Sequence, residues 1–323
     1  MIEPVIPRTI PRAVDMAAAI PELAAYAKTT TRLHPRPGDP GVRDSSVAGP
    51  LLWPADEPWP VCTGAHDPGD LVNVADERLR RVILREAWGD TGFTDELRGR
   101  LQTLDDRAPT SAPAEVPLLP VAQLYARDIP DLKPPAGKDL LQILWCPFDH
   151  DDLSYCPAVR LIWRREADVR EPLAPAAQPE PTIAELSDYV PERCVVHPEQ
   201  LVEYQYSDLL PPDLAQRITQ WEEATGHSYF YGLSVAEGWK VGGWANWNLS
   251  DPPEILPTCA CGAELELLMR IDSGEWDGTG HWRPTDHETC GNNPAEVVIG
   301  RGYSLWIYTC PVSPEHPHEQ VMQ

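Results

Sequence analysis

Apolar residues recur along this chain at two spacings. Behind Asp15, whose carboxylate suits an N-cap, Met16, Ile20, Leu23 and Ala27 repeat at helical intervals, predicting a helix over 15–28 that lids the body. Leu79, Val82 and Ile83, then Leu97, Leu101 and Leu104, give two more helices within 75–104, broken near Gly89 to Gly92. A fourth runs over 212–225, with Pro212 in its first turn, Leu214, Ile218 and Trp221 inward, and Gly226 as its stop. Runs of strand length with apolar or β-branched content fall at 118–125, 140–146, 159–163, 194–196, 201–206, 265–271, 296–299 and 303–310. Residues 32–41 are too broken by Pro and Gly for regular structure, the stretch 171–181 reads as a Pro/Ala linker, and the last residues are expected to fray.

Two parts of the chain echo each other. Val47-Ala48-Gly49, Trp53 and Pro60-Val61-Cys62 stand for Val241-Gly242-Gly243, Trp247 and Pro257-Thr258-Cys259. Downstream, the seven residues from Leu141 to Pro147 read like the seven from Leu305 to Pro311. An internal repeat is the simplest explanation. The expected fold is therefore α+β: two similar, mostly antiparallel β units in one body with peripheral helices. The chain divides into an N-terminal arm, 1–44, a first half, 45–165, a linker and helix, 166–235, and a second half, 236–318.

These residues also carry a resemblance. Lys240-Val241-Gly242-Gly243-Trp244, the Cys-x-Cys-Gly at 259–262 ahead of Leu-Leu-x-x-Ile-Asp, and Cys310-Pro311 with Pro314-Glu315-His316-Pro317 resemble the YwqG-like family of bacterial proteins over most of 45–318. That family has no established activity, so the resemblance implies a fold first; it further implies a place near bacterial toxin–immunity systems.

Charge narrows the partners. Lys+Arg 26 against Asp+Glu 50 leaves −24, which repels phosphate backbones and anionic lipid and favours a basic protein partner. A charged n-region with an apolar run is missing at Met1 to Arg8, and no stretch nears the ~20 apolar residues of a membrane span, so a cytoplasmic chain is expected. There, eight cysteines are thiols or metal ligands rather than disulfides.

The main candidate chemistry is a structural zinc site on Cys259, Cys261, Cys290 and Cys310, with His281, His287, His316 and His318 as alternative ligands. The resemblance implies Cys-Pro-x-Cys-Pro at 310–314. Ser313 stands where the second thiol would be, so Cys290 or a histidine must complete the set. A second set, Cys146, His150 and Cys156 with Cys62, is set aside in favour of packed cysteines beside an acidic turn at Asp149, Asp151 and Asp152. A groove between the halves, lined by Trp239, Gly242, Gly243, Trp244, Trp276 and Trp282, is the default binding site, with Gly242 and Gly243 serving backbone needs. The favoured function is non-catalytic binding. The alternatives are a zinc hydrolase with Asp272 or Glu275 as base and a Trp-lined small-ligand or glycan binder.

Overall fold

The computed structural model describes residues 6–66, 69–185, 187–253, 257–278 and 280–323; the expectations for Met1 to Val5 lie outside them. The strands are β1 (Ala27–Arg32), β2 (Arg36–Pro37), β3 (Ser46–Val47), β4 (Val61–Cys62), β5 (Leu71–Asn73), β6 (Val116–Pro117), β7 (Leu119–Tyr125) and β8 (Leu140–His150). They continue as β9 (Cys156–Arg164), β10 (Ile183–Glu185), β11 (Cys194–Val195), β12 (Glu199–Tyr204), β13 (Lys240–Gly242), β14 (Glu266–Asp272), β15 (Ser304–Thr309) and β16 (Glu319–Met322). Helices are α1 (Met16–Ala19), α2 (Val74–Glu86), α3 (Asp95–Asp105), α4 (Pro212–Thr225) and α5 (His287–Cys290).

Two six-stranded sheets form the body, in the orders β2-β11-β3-β7-β8-β9 and β12-β1-β13-β14-β15-β16. Every pairing is antiparallel, so the fold is α+β with mostly antiparallel sheets. Alternate residues of each sheet meet in one core: Val47, Ala122, Leu124, Leu141 and Ile143 from the first, and Val241, Met269, Ile271, Leu305 and Ile307 from the second. The registers run in parallel. Val47 pairs with Ala122 and Ala122 with Ile143, as Val241 pairs with Met269 and Met269 with Ile307. Each ladder also slips once nearby, between Pro120 and Ala122 and between Leu267 and Met269.

Helices α2 and α3 close their own cluster of Ile83, Ala87, Leu97 and Leu104, and α4 buries Leu214 and Ile218 on Met16, Ile20 and Leu23. Helices α3 and α4 follow the predicted spacing, whereas on α2 only Ile83 of the predicted stripe is buried, Leu79 and Val82 being exposed while Val74, Glu77 and Arg81 face inward. Gly226 takes the left-handed conformation that ends α4.

Several expectations are corrected. The predicted 15–28 helix is a single turn, α1, capped by Asp15, then a three-ten turn at Pro21–Tyr26, then strand β1. The arm is thus an interior strand of the second sheet. Its Thr30, Thr31 and Arg32 are fully buried because hydrogen bonds satisfy them: Thr30 and Thr31 donate to the Val241 carbonyl and the Asp131 carboxylate. The stretch 171–181 is tied down, since Ala55 and Leu173 bond across to Glu171 and Trp53, and the Gln178 amide bonds both backbone groups of Leu51. Residues 296–299 are no strand, their contribution being one bridge from Ile299 to Tyr303. The C-terminus does not fray: β16 completes the second sheet and Gln323 bonds Ser304 by its backbone.

Candidate metal centres

Four ligand atoms converge at the far end of β15. Cys259 and Cys261 sit in a tight turn closed by the Gly262 amide on the Cys259 carbonyl, and Cys310 follows the last residue of β15. Gly262 has φ +87°, which permits that turn. The Cys261 and Cys310 sulfurs are 3.6 Å apart, and His316 Nδ1 lies 3.3 Å from both Cys259 Sγ and Cys310 Sγ. All four ligand atoms fall within 4.8 Å of one another. A tetrahedron of 2.3 Å Zn–S bonds has sulfur edges of ~3.8 Å, so the quartet has the size for one ion.

Backbone amides support thiolate character. Burial would push the Cys310 thiol up, yet hydrogen bonds from His316, from the Ser313 and Val312 amides and from Cys261 hold it at about 6. At Cys259 the Cys261 amide favours the thiolate, but burial beside the other two thiols raises it on balance. Of the predicted ligands, Cys259, Cys261 and Cys310 are together, and Cys290 is not. It lies at the end of α5 with its sulfur on the Gly291 carbonyl, its thiol pushed up to about 11 by burial, and His316 takes its place.

A second quartet sits at the matching end of β8: Cys62, His66, Cys146 and His150, again with ligand atoms within 4.8 Å. His66 Nε2 is 3.3 Å from Cys146 Sγ and His150 Nε2 is 3.9 Å from Cys62 Sγ. Cys156 stays out, its sulfur facing the Ser154 carbonyl and its thiol raised to about 11 by burial. His66 is the residue that sequence reasoning missed. Its signal was present, because Cys62 to His66 and Cys146 to His150 are two copies of Cys-x-x-x-His.

The tryptophans do not line one groove. Trp239 and Trp282 are buried, Trp239 with its indole N–H on the Asp272 carbonyl. Trp244 is half-buried under Lys28, whose ammonium stands 3.7 Å from the ring, and Trp276 lies in a polar recess beside Glu237 and Asn292. Gly242 and Gly243 do border a groove and have φ of +70° and +77°; a Cβ on Gly243 would come within 2.8 Å of Thr30 Cβ.

That groove, about 520 Å³, is lined by Lys28, Gly242, Gly243 and Leu267 from the second sheet, by Asp131, Lys133 and Trp163 from the first half of the chain, and by Cys310. It continues over Trp163, Thr309 and Pro314 into a second recess of about 390 Å³ bordered by Cys62, Arg160 and His316. Both Cys/His groups thus touch one channel. The candidate bases are elsewhere. Asp272 pairs with Arg270 at 2.7 Å and accepts from the Gly238 amide, while Glu275 is buried against His34 and Arg36.

No protein-family model matches the chain, and no curated protein matches it. No helix among the described residues is long and apolar enough to cross a membrane.

Proposed function

We propose that this chain is a non-catalytic binding protein that seats a basic protein segment in the channel between its two sheets. The channel carries the reading: its walls come from both sheets, and the loop 310–318 that forms one rim starts at Cys310 and includes His316. A structural zinc on Cys259, Cys261, Cys310 and His316 would fix that rim. Four protein ligands make a closed site, which favours bracing over a zinc-bound water, and the carboxylates that a hydrolase would need are held in ion pairs. The excess of acidic residues steers a cationic partner toward the surface. Placement in the YwqG-like family, a cytoplasmic location and a role near toxin–immunity pairs are part of this proposal. So is descent of the two sheets from one repeated unit, which their parallel registers support.

The test is a titration of Lys/Arg-rich and Asp/Glu-rich peptide panels against the full chain and its Trp163→Ala variant. Some basic peptides should bind, more weakly as salt rises, and lose at least tenfold in affinity in the variant. Equal binding of acidic peptides, or affinity indifferent to Trp163, would overturn the proposal.

A further inference from the structure

The sequence favours packed cysteines at Cys62 and Cys146 and leaves His66 unassigned, and four observations on the quartet at the end of β8 argue otherwise. Its atoms are of the right kinds and separation, two sulfurs and two imidazole nitrogens within 4.8 Å of one another. His66 presents a defined face, since Nδ1 lies 3.2 Å from the Pro113 carbonyl. That nitrogen therefore carries the proton, leaving the Nε2 lone pair aimed at Cys146, which is the orientation that ligating histidines owe to an outer hydrogen bond. Each sulfur also accepts an amide two residues on, Cys62 from Gly64 at 3.4 Å and Cys146 from Phe148. Finally, Gly64 lies so close to His150 that a Cβ there would stand 3.1 Å from the ring carbon Cε1, a tighter contact than most side chains make, so the missing side chain eases the loop's closure on the imidazole.

We infer that Cys62, His66, Cys146 and His150 form a second metal site, closed and tetrahedral, for a borderline-soft divalent cation, zinc above all. Binding releases the two thiol protons to solvent and changes no oxidation state. The ion ties the 61–66 loop, whose strand β4 pairs with β6 in a two-stranded sheet of their own, to the interior strand β8 of the first sheet. The two ions would then both border the same recess, through Cys62 and through His316. This site rests on its own residues and does not require a metal on Cys259, Cys261, Cys310 and His316.

The experiment is zinc content per chain for the full-length protein, purified under reductant without chelator. Three variants accompany it: Cys62→Ser with His66→Asn, Cys310→Ser with His316→Asn, and His66→Cys, which keeps a ligand in place. Cys62 and His66 are only partly buried, so their replacement spares the core. The wild type should hold two zinc ions, each double variant one, and His66→Cys two. One zinc in the wild type that vanishes with Cys62/His66 keeps this inference and removes the zinc proposed at Cys310. One zinc that vanishes only with Cys310/His316, or none at all, overturns it. Cobalt(II) titration of the apo wild type gives a second reading that needs no variant: tetrahedral bands should grow to two equivalents, and an end point at one equivalent shared with the Cys62/His66 variant would sink the site.

Discussion

The two sheets turn the same inner face to a shared core but bury different chemistry on their outer faces. In the first, one cross-strand row reads Ser46, Gln123 and Gln142. It is neutral: the Gln142 amide donates to Gln123 Oε1, and Gln123 donates to the carbonyls of Val42 and Asp44. The matching row of the second sheet reads Arg32, Lys240, Arg270 and Trp306. Three cations adjoin there, each less than 4% exposed. Lys240 and Glu203 form an ion pair of 2.6 Å with neither side chain exposed, and Glu203 also takes the Ala236 and Trp244 amides. One backbone plan therefore tolerates either filling, with Ser46 Oγ in the first row and Trp306 Nε1 in the second left without a partner, and the charged filling makes the second sheet the more sensitive to loss of one member.

The sharpest way to break this comparison is to remove one partner from each row. Lys240→Met leaves the Glu203 carboxylate buried without its cation and should cost about 3–5 kcal/mol. Gln142→Met leaves the Leu52 carbonyl and Gln123 Oε1 without that amide and the Arg164 Nε–H without its acceptor, while Arg164 keeps its pair with Glu57, and should cost about 1–3 kcal/mol. Urea unfolding of both variants measures the difference. Equal losses would mean that the charged row is no more committed than the neutral one.

A smaller effect should appear in acid through Glu199, on the edge strand β12 of the charged sheet. Burial would raise the Glu199 carboxyl, but bonds from His34 and from the Thr9 hydroxyl and amide hold it down at about 2. A carboxyl depressed in the folded state adds stability above its unfolded value near 4.5, and that stability is lost as pH falls from there toward 2. The melting temperature should drop through this window in the wild type and more gently in Glu199→Gln. Because solvent reaches Glu199, the change should be smaller than that of Lys240→Met. Parallel curves for the two proteins would remove Glu199 from the acid response.

The same contrast explains what could be read from the sequence. Strands β7, β8 and β14 announce themselves by apolar content, and α4 by Pro212, its inward stripe and Gly226, because burial of apolar faces leaves a period in the sequence. Strand β1 does not, since Lys28-Thr29-Thr30-Thr31-Arg32 is polar and becomes interior only through partners distant in sequence, such as Asp131, Glu237 and Glu275. The site followed the same rule. Cys259, Cys261 and Cys310 were legible from local spacing, while His316 could not be told from three other histidines until the loop after β15 folded back on Cys259. Cys290 looked equivalent in sequence, but α5 holds it on its own carbonyl. The two Cys-x-x-x-His copies are legible in the sequence but their convergence is not, because β8 continues through Cys146 to His150 where the sequence suggests that the strand stops at Cys146.

The smallest predicted effect tests the likeness of the two sheets at the one place where their backbones take the same rare conformation. Just beyond β3, Ala48 has φ +50°, and Gly242, at the end of β13, has φ +70°. An L side chain in that region costs roughly 1–2 kcal/mol, and glycine does not bear this cost. The first sheet therefore carries a strain that the second avoids, although glycine gives back part of the gain through its freer unfolded chain. Ala48→Gly should raise stability by up to about 1 kcal/mol. Gly242→Ala should lower it by about 1–2 kcal/mol, since its new Cβ would also press on Asp131 Cβ at 3.2 Å. Opposite signs in thermal unfolding would establish that both sheets make the same turn after equivalent strands. A loss of stability in Ala48→Gly would show that the first sheet needs its alanine methyl for packing, and that the likeness ends at the strands.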